Sequence, residues 1–167
     1  ILVEPADGKM AYTEAGEALV KDAEARDDHD FSGPEVRLPD ERCIDGTASS
    51  TGPPMIGEPQ NANYKIVQTK DAVVILTEYG PDLRIIPFTD KHGPLLQASA
   101  LGDAIAHWEG ETLVIETIGM PAKDAIRPFP TLFVPATAKV IERYTRVSKR
   151  ELLYQYTVVD PSIYTAP

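Results

Sequence analysis

The residues best suited to acid–base chemistry lie in a segment whose pattern predicts a β-hairpin. Two β-rich runs, 104–108 and 112–118, flank Glu109-Gly110-Glu111, a combination typical of a tight turn. Because side chains alternate along a strand, this pairing places His107 and Glu116 on one partly apolar face. A histidine beside a carboxylate is a common general-base arrangement and also a common structural hydrogen bond, and both interpretations stay open.

A second candidate pair consists of Glu78 and Arg84. A two-residue loop between the first two predicted strands pairs Val67 with Val74, which puts Glu78 on the same apolar face. A carboxylate on such a face is unfavourable unless it is paired, and Arg84 follows the next turn within diagonal reach. We therefore expect a Glu78–Arg84 ion pair that is either structural or orients a ligand or moves a proton.

Arg143 is the candidate cation of the last predicted hairpin. A four-residue loop, 148–151, would place Arg143 on the core face with Tyr154 and Tyr156, and Glu142 on the opposite, solvated face. On the core face Arg143 could stack on the tyrosine rings, pair with an acid, or bind an anionic or carbonyl-bearing ligand.

These candidates form one hypothetical site. The catalytic candidates are Glu78, His107 and Glu116, and the ligand-binding candidates are Tyr64, Arg84, His92 and Arg143. His92 lies in a Gly-Pro loop, where it would be free to meet a ligand. We expect one hollow covered by the Gly- and Pro-rich stretch 44–63, because long irregular loops in compact domains are usually functional or mobile. The alternative for this stretch is a passive crossing of the surface. The residues expected to converge on the hollow are Glu78, Arg84, His92, His107, Glu116 and Arg143.

Several function classes lack their signatures in this chain. There is no Walker-type phosphate loop and no GxGxxG, HExxH or GxSxG pattern. The single cysteine, Cys43, excludes an intramolecular disulfide and a cysteine-based zinc site, and we expect neither a metal nor a cofactor. A net charge of −10 is repelled by phosphate backbones, so a nucleic-acid partner is not expected. No apolar run has the length of a membrane-spanning helix, so membrane insertion is not expected either.

The elements that would position these residues suit a single domain, 1–167. Thr13 as N-cap, followed by a run of helix formers, predicts a surface helix within 13–27, part of an N-terminal arm of residues 1–40. Residues 64–160 have the pattern of a β meander with about seven strands. The fold class is therefore mostly β, an antiparallel meander that forms a small barrel or strongly curved sheet. Trp108 is expected to be substantially buried.

Five blocks of sequence carry a family resemblance, and they occupy residues 61–69, 73–78, 84–87, 108–117 and 140–144. The most specific block is the hairpin with Trp-Glu-Gly-Glu-Thr-Leu-Val followed by Glu-Thr. These blocks resemble a family of small exported bacterial proteins of unknown function, over roughly residues 40 to 160. The chain departs from the family pattern at Ala62, at His107, where the family has Arg, and at Lys91-His92-Gly93-Pro94, where it has Pro-His-x-Pro.

The resemblance implies export, so we expect a periplasmic or secreted protein whose signal peptide has been removed. The first functional hypothesis is a lipocalin-like β protein that binds a small, largely apolar ligand, as a monomer or homodimer. The second is a cofactor-independent lyase, isomerase or hydrolase in which Arg84 or Arg143 stabilises developing charge. The third is an interaction module without a pocket. A cavity with convergent polar groups would separate the first two from the third, and a raised carboxylate pKa there would favour the enzyme.

Overall fold

The computed structural model describes residues 5–25, 32–33, 52–56, 63–78, 83–94, 101–120 and 132–167. Within them lie one α-helix and seven β-strands: α1 (Glu14–Glu24), β1 (Tyr64–Gln68), β2 (Ala72–Thr77), β3 (Leu83–Pro87), β4 (Asp103–Glu109), β5 (Thr112–Ile118), β6 (Lys139–Arg146) and β7 (Leu152–Val159). The strands form a three-stranded antiparallel sheet, β1–β2–β3, and a four-stranded antiparallel sheet, β4–β5–β6–β7. The prediction of a mostly β fold with an N-terminal helix is confirmed for these residues.

The first two hairpins pair in the predicted register. Val67 lies opposite Val74, and Ile105 lies opposite Glu116, so that His107 and Glu116 share a face. The β4–β5 hairpin closes through residues 110–111, and its glycine has a φ of 60°. Glycine adopts this left-handed conformation without the steric penalty of a Cβ, which explains the tight turn.

The two sheets bury one face each against the other. The strand residues of their shared core are Val73, Ile75, Ile86, Ala106, Leu113, Ile115 and Tyr144. An isolated bridge between Phe88 and Ala106 joins the β3 side of one sheet to the β4 side of the other. The remaining edges are β1 and β7, and among the described strands these two do not pair. The sheets therefore do not close into a barrel, and we call the opening between β1 and β7 the seam.

Helix α1 packs against the C-terminal turn. The Thr13 side chain accepts a hydrogen bond from the Gly16 N–H at 3.1 Å, as expected of an N-cap. The Thr13 backbone N–H donates to the Ile163 carbonyl at 2.8 Å, and the Tyr12 ring stacks on Tyr164 with centroids 5.6 Å apart. Through Tyr12, the helical arm packs on a second core cluster, which includes Phe133 and Tyr164 and which the sequence patterns did not predict.

The third hairpin differs from the prediction. Arg146 lies opposite Leu152, so the connection has five residues, 147–151, instead of four. A shift of one residue exchanges the two faces of a strand. Glu142 and Tyr144 therefore face the core, and Arg143, predicted to face the core, lies on the outer face.

The predicted burial of Trp108 is wrong, because 47% of the residue is exposed. Its position opposite Leu113 on the core side of the sheet agrees with the prediction. However, β3 and β4 are joined only at the Phe88–Ala106 bridge among the described residues. Trp108 lies two residues further along β4, where β5 pairs with it on one side but, among the described residues, β3 does not extend beside it on the other.

No helix in the described ranges has the length and apolar character needed to cross a membrane. Most of the stretch 44–63, most of the arm beyond residue 25, and Cys43 lie outside the described residues. The predictions made for those segments stay predictions.

Candidate functional site

A buried ion pair crosses the interface between the two sheets. The side chains of Arg84 on β3 and Glu142 on β6 are 2% and 0% exposed. The Arg84 guanidinium donates from Nη1 to Oε1 of Glu142 at 3.1 Å and from Nη2 to Oε2 at 2.5 Å, in bidentate geometry. Arg84 Nη2 also lies 3.4 Å from the Thr117 hydroxyl on β5. The pair therefore ties β3, β5 and β6 together inside the core.

Two tyrosines also donate hydrogen bonds to Glu142. The hydroxyls of Tyr144 and Tyr154 donate to Oε1 of Glu142 at 3.2 and 2.8 Å. The Tyr154 hydroxyl in turn accepts the Met55 backbone N–H at 2.7 Å. The Tyr144 and Tyr154 rings are in contact, with centroids 4.9 Å apart. The network thus holds both rings, and the backbone at Met55, in fixed positions.

The network also sets the ionisation of its members. Burial by itself lowers the pKa of Arg84, but the charge and hydrogen bonds of Glu142 outweigh burial and hold that pKa above its usual value. Burial raises the pKa of Tyr144 and Tyr154, and the negative charge of Glu142 raises both further. Both phenols are therefore neutral hydrogen-bond donors at physiological pH.

A groove of about 480 Å³ opens along the seam. The residues that line this seam groove are Met55, Asn63, Tyr64, Ile66, Tyr144, Leu152 and Tyr154. They come from both edge strands, from β6 and from the short segment 52–56. The buried ion pair lies behind Tyr144 and Tyr154. The groove is therefore mainly apolar and aromatic, with two of its rings fixed from behind.

His92 and Glu116 meet on the outer face of the four-stranded sheet. The Nδ1 atom of His92 lies 2.8 Å from Oδ2 of Asp103, and its Nε2 atom lies 3.2 Å from Oε1 of Glu116. Lys139 Nζ lies 3.0 Å from the other oxygen of Glu116. Partial burial acts to raise the pKa of Glu116, but hydrogen bonds from Lys139 and His92 outweigh it and lower that pKa. The cluster anchors the loop around His92 to the sheet.

His107 and Arg143 form a separate, more exposed group on the same outer face. Both contact Glu109: His107 Nε2 lies 3.3 Å from Oε1, and Arg143 Nη2 donates to Oε2. The hydrogen bond from Arg143, followed by that from His107, lowers the pKa of Glu109. Because all three side chains are about half exposed, this group has the geometry of a surface ion-pair network.

The predicted Glu78–Arg84 pair is not formed. Glu78 is exposed and accepts a hydrogen bond from the Asn63 side chain at 2.5 Å. The core face of β2 is the face of Val73 and Ile75, and Arg84 lies opposite Ile75 on that face. Glu78 falls on the other face of the sheet, which points away from the core. The first hairpin has the predicted register, but the core covers the face opposite to the one assumed.

The seven predicted site residues consequently lie in four places, and the prediction that they converge on one hollow is wrong. Tyr64 lines the seam groove with Arg84 behind it, His92 contacts Glu116, and His107 joins Arg143 through Glu109. Glu78 lies apart from all of them, on the outer face of the three-stranded sheet. Whether any of the seven residues has a catalytic or binding role stays a prediction.

Sequence reasoning missed three residues of the network, Glu142, Tyr144 and Tyr154. The sequence pattern predicts Tyr154 only as a neighbour of Arg143, and it predicts a solvated Glu142. The sequence does contain a signal for Glu142, because Val140 and Tyr144 lie two residues before and after it on the strand. Residues at alternate positions share a face, so these two hydrophobic side chains indicate that Glu142 faces the core.

The described residues contain no group of three or more His, Cys, Asp or Glu side chains placed to hold a metal ion. The carboxylates with a shifted pKa, Glu109, Glu116 and Asp160, are all shifted downward by their hydrogen bonds, against the effect of burial. None of these three has the raised pKa of a general acid.

Fold and site together define an open, two-sheet β protein with an aromatic groove along its seam. Comparisons with protein-family models, with curated proteins and with solved structures find no match for this chain.

Proposed function

We propose that this protein binds a small, largely apolar ligand in the seam groove. The observation that carries the proposal is the groove itself, in which three tyrosines, a methionine and two aliphatic side chains converge. Its volume of about 480 Å³ falls within the range of roughly 300–1,000 Å³ typical of small-molecule sites.

The exposure of the groove's aliphatic residues supports an apolar ligand. Ile66 and Leu152 are 41% and 50% exposed, although both lie on the faces that their sheets turn toward the core. Covering such side chains removes apolar surface from water, which is the main favourable term in binding apolar molecules. At the rim, Asn63 offers a polar contact, so the ligand would carry a small hydrogen-bonding group.

The ion-pair network would prepare the groove for binding. Tyr144 and Tyr154 each donate to Glu142, so their rings are held before the ligand arrives. A preformed wall reduces the conformational entropy lost on binding. In this proposal the two sheets act together as one strongly curved surface around the ligand, in a protein that works in the bacterial envelope as a monomer or homodimer.

The test uses Nile red, a neutral apolar dye, because an anionic dye would be repelled by the net charge of −10. We expect saturable binding, detected by an increase in dye fluorescence. Leu152→Asp should weaken it by about tenfold or more, since a buried leucine contributes roughly 1.5–3 kcal/mol. Leu153→Asp is the matched control, because Leu153 is the next residue on β7, is 46% exposed and does not line the groove.

Equal weakening by the two variants, or dye binding that never saturates, would show that the groove is not the binding site. Circular dichroism spectra of both variants should match that of the wild type, which establishes that the comparison is made between folded proteins.

The alternative of acid–base catalysis has less support from the geometry. Glu78 lies on the outer face of one sheet, and Glu116 and His107 belong to different clusters on the other sheet. A general base and its partners must lie within hydrogen-bond reach of one substrate position.

A further inference from the structure

A second groove, of about 450 Å³, lies at the end of the β4–β5 hairpin. The residues of this hairpin groove that matter for its chemistry are Gln68, Lys70, Phe88, Asp90, His107 and Trp108. No residue lines both this groove and the seam groove. The two grooves can therefore be tested independently.

Trp108 is the feature that distinguishes the hairpin groove. It is the only tryptophan of the chain, and nearly half of it is exposed inside a concavity. Its indole N–H makes no hydrogen bond to the described residues, so the ring offers an apolar face and a spare donor. Phe88 adds a second aromatic side chain. Exposed aromatic rings of this kind provide large contact area together with a polar tip.

The polar groups around the ring are of mixed type, and they make few contacts with the other described residues. The side chains of Gln68 and Asp90 make no hydrogen bond or ion pair with the described part of the chain. Within the described ranges Lys70 contacts only Asp71, at 3.8 Å, and both side chains are largely exposed. The groove thus presents donors and acceptors to a ligand.

The charges of the groove favour a neutral ligand. A cation would be attracted by Asp90 and the indole face but repelled by Lys70, and an anion would be repelled by Asp90 and by the net charge of −10. A neutral polyhydroxylated molecule avoids both penalties. Its C–H face can stack on the indole, while its hydroxyls both donate to Asp90 and accept from Gln68 and Lys70.

We propose that the hairpin groove is a carbohydrate-binding site in which Trp108 is the stacking platform. Asp90 and Gln68 are the residues that hydrogen-bond the sugar hydroxyls. The site takes a neutral saccharide and is distinct from the apolar site along the seam.

The experiment titrates the protein with cellotetraose, maltotetraose and chitotetraose, and follows the fluorescence of Trp108 and the heat of binding. At least one sugar should give a saturable change in both. Trp108→Ala should weaken the calorimetric affinity by about tenfold or more, because it removes the stacking surface. Asp90→Ala should also weaken it, and Trp108→Phe should retain part of the affinity.

Two control variants make the result specific. Tyr156→Ala removes another exposed aromatic residue, outside the hairpin groove, and should leave the affinity for the sugar unchanged. Leu152→Asp, which disrupts the seam groove, should also leave it unchanged.

The proposal is overturned if none of the three sugars binds saturably, or if either control variant weakens binding as much as Trp108→Ala. It is also overturned if choline or glucuronate perturbs Trp108 fluorescence saturably and the neutral sugars do not. These outcomes are separate from the Nile red result, so failure of one site leaves the other intact.

Discussion

Glu142 is a fully buried carboxylate, and among the acids of the described residues only Asp160 is also buried. An isolated charge at this depth would be strongly unfavourable, but Glu142 receives hydrogen bonds from Arg84, Tyr144 and Tyr154. A buried ion pair contributes little net stability compared with an apolar pair of similar volume, whereas removal of one partner is strongly unfavourable. This asymmetry makes the pair testable.

We expect Arg84→Met to destabilise the protein by about 3–5 kcal/mol, because it leaves Glu142 without its counter-charge in the core. The double variant Arg84→Met/Glu142→Leu should recover a large part of that loss. Urea melts of the wild type, both single variants and the double variant give the coupling energy. A double variant that is as unstable as the sum of the single variants would contradict this account.

The exposed pair Arg143–Glu109 provides the matched control at the residue scale. The same substitutions, Arg143→Met and Glu109→Leu, should each change the free energy of unfolding far less than Arg84→Met does, because solvent screens the pair.

At the scale of the element, helix α1 is positioned by close contact rather than by its own stability. An isolated helix of 11 residues is marginal in water. Gly16 is the buried residue of this helix, and a Cβ added there would lie 2.4 Å from the Ile163 carbonyl oxygen. The absence of a side chain at this position lets the helix approach the C-terminal turn.

We therefore expect Gly16→Ala to destabilise the protein by roughly 1–3 kcal/mol, the usual range for an overpacked contact. Helix propensity alone predicts the opposite sign. The control is Ala18→Gly, at an exposed position of the same helix, where the loss of alanine should cost about 1 kcal/mol. Thermal melts of the two variants decide the matter: a stabilised Gly16→Ala would show that the helix does not approach the turn so closely.

For the whole molecule, lowered pKa values of carboxylates limit the free energy of unfolding at acid pH, and raised pKa values of buried tyrosines limit it at alkaline pH. The pKa of Glu116 and of Asp160 is lowered in the folded state by their hydrogen bonds, although burial opposes the shift. Their contribution to the free energy of unfolding is fully present above the ordinary pKa values, 4.5 for Glu116 and 3.8 for Asp160. It is lost as the pH falls through the lowered pKa of each group. The pKa of Tyr144 and Tyr154 is raised, so the unfolded chain loses these protons first, and stability falls as the pH rises above the ordinary value of 10.

We expect the free energy of unfolding to be highest between these limits and to decline above about pH 10. Above about pH 10, the free energy of unfolding of Tyr154→Phe should fall less steeply with pH than that of the wild type. The difference in slope should correspond to about one proton per molecule, because one buried phenol no longer titrates. Tyr156→Phe is the comparison, since that ring is half exposed and its pKa is raised only by burial. Urea melts at several pH values measure the slopes, and equal slopes in the two variants would refute the assignment.

Much of the architecture followed from the sequence alone. The strand periodicity located the seven strands of the described residues, the Glu109-Gly110-Glu111 turn set the register of β4–β5, and Thr13 marked the start of α1. These features depend on neighbours that are close in sequence. A two-residue turn determines which side chains are paired, and an N-cap satisfies the backbone only a few residues away.

The tertiary structure alone decided which face of each sheet is buried. Register showed that Glu78 and Val74 share a face, but only the packing of the second sheet made that face the outer one and turned Arg84 inward. Arg84 and Glu142 are 58 residues apart, so no local pattern could pair them. The open seam has the same origin: whether β1 meets β7 depends on how the two sheets pack, and that packing is set by burial of the core as a whole.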